Sequence, residues 1–279
     1  MSLLVNRYLL AFLKRDTAEM TSLLASAAHK PGAEHLMLAC HSDTEAWYGR
    51  LASARDLTRR ATEAASAEDA KETAATYQSE AALREAELLN HPEARARVES
   101  ALKLSDNRDV RSIAALALAR VGESARAEKL IADLNREFPL DTLVQRYWLP
   151  TIQAAVELER GKPNKAIDLL KITTSYELGQ PTSTVVVLSP VYVRGQAYLM
   201  LRNGALAVAE SHKILDHPGI VGNFVIGSLA HLQLARAFAL QGANAKAKAA
   251  YQDFLTLWKD ADPDIPVLKQ AKAEYAKLE

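Results

Sequence analysis

The sequence predicts an all-α solenoid of about seven antiparallel helix pairs closed by a C-terminal capping helix. Three observations carry that expectation. First, 49% of the 279 residues are hydrophobic but only 6% are aromatic, and Ala, Leu and Val supply most of the rest. Alanine loses no side-chain entropy in a helix and lets helices approach closely, so this mixture favours packed helices over sheets. Second, a small residue recurs at Ala54, Ala94, Ala127, Ala166, Ala207 and Ala247, at spacings of 40, 33, 39, 41 and 40. Third, the residues twelve positions before each of these are Ser42, Ala82, Ala115, Ala154, Gly195 and Ala235. Two small residues flanking a turn at that separation are what two antiparallel helices need where they cross most closely.

The turn between the two alanine-marked helices is itself recognisable. Gly49, Gly122, Gly161 and Gly242 each stand five residues before the crossing alanine, and Asn-containing turns at Asn90 and Asn203-Gly204 replace them in the other two units. Glycine here frees the backbone to leave a helix. The second helix then runs with apolar residues at i, i+4 and i+7 from the alanine, as in Val98 and Ala101, Ile131 and Leu134, Leu170, Ile214, Tyr251 and Phe254. That period is one face of a helix. Proline ends several units, at Pro31, Pro139, Pro218 and Pro263. An earlier unit fits with Met20 in the alanine position, 34 residues before Ala54, which brings the count to seven. Residues 1–262 form the repeat region. Residues 263–279 form the cap, with Leu268, Ala271 and Tyr275 on one face and Lys269, Lys272 and Glu274 away from it. Residues 179–190, β-branched with prolines near both ends, read as an extended loop between repeats.

Glycine at the inter-helix turn, small crossing residues, terminal prolines and periods of 33 to 41 together resemble the tetratricopeptide repeat (TPR) family. The best-matching unit is Leu234-Ala-Arg-Ala-Phe238-Ala-Leu-Gln-Gly242-Ala-Asn-Ala-Lys-Ala247-Lys-Ala-Ala-Tyr251-Gln-Asp-Phe254. The resemblance spans essentially the whole chain and implies a right-handed superhelix. Two departures stand out: several units exceed 34 residues, and the family's aromatic in the first helix, kept as Tyr198 and Phe238, is replaced by Glu45, Glu85 and Glu157. More narrowly, Val191 to Leu278 resembles the C-terminal repeat region of bacterial eukaryotic-like serine/threonine kinases of the Acidobacteria type. It does so through Pro190-Val-Tyr-Val-Arg-Gly-Gln-Ala-Tyr198 and Tyr251-Gln-Asp-Phe-Leu-Thr-Leu-Trp-Lys-Asp-Ala-Asp-Pro-Asp264. That likeness implies a kinase domain upstream in the parent protein. The chain itself holds no Gly-rich strand-loop, His-Arg-Asp loop or Asp-Phe-Gly motif.

Charge and cysteine content narrow the function classes. Lys+Arg and Asp+Glu balance at 34 each, so counterion release has no source and a nucleic-acid partner is not expected. One cysteine, Cys40, excludes an intrachain disulfide. No apolar run approaches the roughly 20 residues of a membrane span, and Met1-Ser2-Leu3 does not begin a signal peptide. The helical pattern already running at Tyr8 fits a fragment of something longer. The expected compartment is the cytoplasm, or an extracytoplasmic one if the parent carries an upstream span.

Four constellations invite chemistry, and each has a plainer explanation. His41 and Glu45 can share a helix face near Cys40 and His35, but zinc wants three or four ligands and adjacent residues on a helix diverge. Ser211 beside His212 and His217 falls at a packing position, where the matching residues are Val98, Ile131, Leu170 and Tyr251. Gly222-Asn-Phe-Val-Ile-Gly227-Ser228 mimics a phosphate loop in spacing only, lacking its lysine and preceding strand, and reads as a turn between pairs. Glu80, Glu85 and Glu87 are interleaved with Arg84 on a helix and form no acid/base dyad. No catalytic residue, metal site or cofactor is therefore expected. A concave groove lined by first helices can instead receive a peptide or protein segment. The repeat register places Asp43, Trp47, Arg120, Trp148, Tyr192, Gln196 and Arg236 along it, residue types that often dominate interfaces. For Trp47 and Trp148 the competing expectation is packing between pairs. A partner-binding scaffold attached to a signalling kinase is the first reading, a small-ligand sensor module the second, and a hydrolase or metal enzyme a distant third.

Overall fold

The computed structural model describes residues 3–179 and 186–278. Among them lie sixteen α-helices and no strand. In order these are α1 (Leu3–Lys14), α2 (Thr17–Ala27), α3 (Glu34–Trp47), α4 (Leu51–Ala67), α5 (Lys71–Glu87), α6 (His91–Leu104), α7 (Arg108–Arg120), α8 (Ser124–Glu137), α9 (Leu149–Glu159), α10 (Pro163–Leu170), α11 (Ser189–Met200), α12 (Gly204–Leu215), α13 (Pro218–Val221), α14 (Val225–Leu240), α15 (Asn244–Leu257) and α16 (Pro266–Ala276). The helices pack in neighbouring pairs, α1 with α2 through α11 with α12, then α14 with α15. α13 is a single turn, and α16 stands alone after the last pair.

One turn geometry recurs in every pair. Arg15, Gly49, Leu89, Gly122, Gly161, Arg202 and Gly242 all adopt positive φ, between 56° and 78°. Each stands five residues before its crossing residue. The residue after each donates its N–H to a carbonyl five positions back: Asp16 to Ala11, Arg50 to Glu45, Asn90 to Glu85, Glu123 to Leu118, Lys162 to Glu157, Asn203 to Tyr198 and Ala243 to Phe238. This is the Schellman closure of a helix C-terminus. In the Asn90 and Asn203 turns the left-handed position belongs to Leu89 and Arg202, so the geometry survives without glycine.

The small crossing residues do what their size predicts. Ala54, Ala94, Ala127, Ala166, Ala207 and Ala247 are buried, as are Ser42, Ala82, Ala115, Ala154, Gly195 and Ala235 across from them. Ser42 adds a hydrogen bond from Oγ to the Ala54 carbonyl at 2.7 Å. The first helix of each later pair is buried nearly all round, and the second buries one stripe. Twelve of the 17 residues of α5 are buried against two of the 14 in α8, which assigns α5, α7, α9, α11 and α14 to an inner layer and α4, α6, α8, α10, α12 and α15 to an outer one. Glu45, Glu85 and Glu157 hold the aromatic register: Glu85 is held by Arg55 at 2.8 Å and 2.8 Å, Glu45 by Arg50, and Glu157 by Lys165 and Arg160.

α9 enters through a wide π-type turn, Val144–Trp148, that the sequence reading did not anticipate. Pro150 has no N–H to give the carbonyl four back, and a widened turn absorbs the missing bond. Residues 180–185 of the loop expected over 179–190 lie outside the described residues; at its end, Val186 to Leu188 are buried and α11 has begun by Ser189.

The inner side is not the open wall that the repeat pattern led us to expect. The Trp258 indole N–H donates to the Trp47 carbonyl at 2.9 Å, the Ala52 N–H to the Asp262 carboxylate at 2.7 Å, and the Asp262 N–H to the Gly49 carbonyl at 3.0 Å. Asn223 donates to the Cys40 carbonyl at 2.8 Å and to Thr44 Oγ1 at 3.0 Å. The late helices thus return to the α3–α4 hairpin. Asp262 supplies the N-terminal cap of α4 that Arg50, at the capping position, does not.

Gly49 is the tightest point of this seam. Its φ is +75°, and a Cβ there would lie 2.6 Å from Ala261 Cβ and 2.9 Å from Trp258. Gly122 has the same backbone, φ +78°, with nothing within 4 Å. Gly49→Ala is expected to cost about 2–4 kcal/mol, combining left-handed strain with a forced separation of the seam. Gly122→Ala is expected to cost about 1 kcal/mol. Urea unfolding of the two variants checks the difference; equal losses would mean that the seam contributes nothing.

Candidate functional site

The seven residues expected along a groove separate into two groups. Asp43, Trp47 and Trp148 are structural. Asp43 is buried and accepts from Arg84 Nη1 at 3.0 Å, while the same guanidinium reaches Ser42 Oγ at 3.2 Å and Thr58 Oγ1 at 2.8 Å. Burial pushes the Asp43 carboxyl up to about 6, with Arg84 opposing the rise. Trp47 is half-buried, edge-on to Phe12 with centroids 5.3 Å apart, and a Cβ on Gly227 would collide with its ring. Trp148 is 1% exposed and edge-on to Tyr147 at 5.4 Å. Asp43 and Trp148 are thus enclosed by the core rather than lining a groove, and Trp47 is half-buried against Phe12 and Gly227.

Arg120, Tyr192, Gln196 and Arg236 are brought together where α5, α7, α11 and α14 converge. Arg120, on the last turn of α7, holds Glu87 of α5 in a fork at 2.9 Å and 3.1 Å and reaches Glu159 of α9 at 3.5 Å. Tyr192 is buried; its phenol is raised by burial and then by Glu87, and it also feels Arg120 and Arg236. Gln233 of α14 donates to the Tyr192 carbonyl at 3.1 Å. Gln196, one turn along α11, is half-buried, and its Oε1 forms no hydrogen bond. Arg236 forks onto Glu274 of α16 at 2.9 Å and 3.0 Å, and Tyr251 donates to the same carboxylate at 2.9 Å. Glu274 therefore does not point away, as the capping-helix pattern suggested, but ties α16 to the inner layer. Arg120 and Tyr192 are closed off, whereas Gln196, Arg236, Glu159 and Glu274 retain exposure.

The acidic partners were missed by reading residues singly, yet a signal exists. Glu87, Arg120 and Glu159 are separated by 33 and 39 residues, so they occupy one repeat position in three successive units. Opposite charges one period apart on an inner helix meet across the helix–helix contact. The Glu177 cluster had no such signal: Arg194 holds Glu177 at 2.6 Å and 3.0 Å, Lys213 adds a third contact at 3.0 Å, and Glu210 takes the rest of Arg194 at 2.7 Å.

The other constellations are spent on structure. Cys40 is buried with its thiol raised by desolvation, the opposite of a reactive cysteine. His41 faces Glu45 at 3.6 Å. Among the described residues no group of three or more His, Cys, Asp or Glu could hold a metal ion. Ser211 Oγ is buried and donates to the Ala207 carbonyl of its own helix at 2.9 Å. Asn223 and Gly227, from the loop-like stretch, lie against α3. No protein-family model matches the chain, and no curated protein matches it.

Two stability predictions follow from these ion pairs. Arg84→Met leaves Asp43 buried without its partner and is expected to cost about 3–5 kcal/mol, whereas Arg236→Met, on a partly exposed pair, should cost about 1 kcal/mol or less. Chemical denaturation of both variants at neutral pH checks the contrast.

The second concerns acid. Burial alone would raise the Glu45 carboxyl, but the hydrogen bonds from Arg50, with His41 nearby, outweigh it and hold it at about 2. The folded value lies below the unfolded one, so the ionised form favours the fold. Its contribution is present above the ordinary glutamate value and is lost as pH falls toward about 2. Glu45→Gln should therefore flatten the stability curve over that window in acid titrations of the melting temperature, and a curve parallel to the wild type would contradict the assignment.

Proposed function

We propose that the protein is a non-catalytic protein-interaction module, a right-handed superhelix of the TPR type. In this reading it serves as the partner-binding region of a bacterial serine/threonine kinase signalling protein. The segment it recognises is helical and amphipathic with a carboxylate, and it docks beside Gln196 and Arg236 at the end of the inner layer. One observation carries the reading. α16 already lies against this surface in that manner, burying Val267, Leu268 and Ala271 while Glu274 meets Arg236 and Tyr251. A surface that takes one amphipathic helix through an apolar stripe and a fork-held carboxylate has the chemistry for a second.

The polar groups here support recognition better than catalysis. Arg120 and Arg236 each form a fork with a carboxylate, Glu87 and Glu274, which is the chemistry of charge pairing. The kinase association rests on the resemblance of residues 191–278, and the cytoplasmic placement on the sequence alone; none of the described helices is long and apolar enough to cross a membrane.

Peptides selected by display against the full chain, then measured by fluorescence anisotropy, test the surface. Arg236→Ala and Gln196→Ala should each weaken binding about ten-fold, the worth of a charge-assisted or buried hydrogen bond, with helical content unchanged. Peptides that keep their affinity in both variants would show that recognition occurs elsewhere.

A further inference from the structure

Ionisable side chains gather around Asp43 of α3, apart from the surface just described. Asp43 is buried, as are Tyr8 of α1, Cys40 of α3 and Tyr77, Glu80 and Arg84 of α5. Tyr8, Cys40 and Tyr77 each feel the Asp43 charge. Cys40 and Tyr77 also feel Glu80, Tyr8 feels Glu45, and Tyr77 feels Glu68. α4 adds the Thr58 hydroxyl, and Asn223 reaches α3 one residue on, at Thr44; neither group ionises near neutral pH.

The Asp43 carboxylate is poorly supplied with hydrogen bonds. It lies within α3, where backbone N–H groups are used in the helix ladder, so its donors must come from side chains. Arg84 gives one bond at 3.0 Å, shares its donors with Ser42 Oγ and Thr58 Oγ1, and leaves its own Nε without a partner. Desolvation outweighs this single ion pair, so the Asp43 proton is held more tightly than in water. A neutral carboxyl still fits, because its carbonyl oxygen can go on accepting from Arg84. The buried arrangement thus accommodates both states and prefers the protonated one.

We propose that Asp43 is a proton-operated latch: a proton on its carboxyl holds α3 closed against α5, and ionisation drives α3 to open toward water, drawing the Trp47 carbonyl away from Trp258. An opening that hydrates Asp43 returns its carboxyl to an ordinary value of about 4, whereas the closed state holds it at about 6. The closed state is therefore favoured fully below about pH 4, and that preference is lost as pH rises through about 6. From about pH 5 to about pH 7 the opening equilibrium grows about ten-fold. The latch is independent of the protein-interaction reading, because it shares no residue with Gln196, Arg236 or α16.

Amide hydrogen exchange of the full chain at about pH 5 and about pH 7, corrected for the intrinsic pH dependence of exchange, tests it. Amides from Cys40 to Trp47 are expected to lose about ten-fold in protection at the higher pH. Asp43→Asn cannot ionise but can still accept from Arg84, and it should remove that loss while His35 and His41 of the same helix stay in place. A carbon-13 NMR titration of the Asp43 carboxyl in the unaltered chain gives a second readout that does not depend on the variant, with a midpoint of about 6 expected. A midpoint below about 5 overturns the proposal. Equal protection at the two pH values overturns it as well, and so does an undiminished loss in Asp43→Asn.

Discussion

Trp258 and Asp262 meet the α3–α4 turn across 211 and 210 residues of sequence, and the arrangement of the inner helices depends on that meeting. Each helix pair taken alone settles only its own crossing and its contact with the next. Small errors in the rotation between units would add along seven pairs. A contact between the second pair and the last removes that freedom, because the seam fits only if the intervening rotations bring Trp47 under Gly227 and the Gly49 carbonyl to the Asp262 N–H. The groups used are those that helix termini leave unsatisfied. Trp258 takes a carbonyl from the end of α3, and Asp262 takes an N–H from the start of α4. Closure therefore satisfies backbone groups that would otherwise need water.

Enclosing the inner layer explains its ion pairs. Glu87, Arg120, Asp43 and Arg84 are almost fully removed from solvent, and a lone charge there would be costly. Each is matched by a partner from a neighbouring helix: Asp43 of α3 by Arg84 of α5, Glu87 of α5 by Arg120 of α7. Such pairs add little to stability compared with apolar residues of the same shape. They do discriminate between registers. If α5 slipped by one residue against α3 or α7, both forks would open with their charges still buried. The alanine stripe is permissive, since many offsets of small residues pack; the charges select one offset among them.

The helix pairs were legible because their causes are local. The left-handed turn residue, the crossing alanine five positions on and the small residue twelve positions before it are all fixed by one hairpin's geometry; all seven hairpins carry the turn, and six carry both small residues, the first having Met20 and Tyr8 there. Glu45, Glu85 and Glu157 kept the aromatic register because their carboxylates are exchanged for ion pairs to nearby arginine or lysine side chains, a substitution that hydrophobicity patterns do not show. The seam was illegible for the opposite reason. Nothing near Gly49 or Asp262 marks them as partners, and Gly49 looks like the other turn glycines; its second constraint is the approach of Ala261 and Trp258, which no local pattern encodes. The groove residues shared that fate. Arg120, Tyr192, Gln196 and Arg236 do converge, because they sit on equivalent faces of inner helices, but whether such a face is open or covered is decided by the rotation between units. For Trp148, buried against Tyr147, the covered outcome holds.

Closure also bears on where a partner can sit. A long peptide threaded along the inner wall would have to displace Leu83, Leu116 and Tyr192, which are buried there, and to part the seam that holds α3 to the C-terminal helices. The rim near Arg236, where α16 ends, lies outside that closure; the Arg236–Glu274 pair there keeps partial contact with water, so its strength falls with salt. A chain built of near-identical hairpins thus becomes chemically differentiated along its length: the crossing residues stay small in nearly every unit, and the side chains that vary from one unit to the next give each surface its own preference.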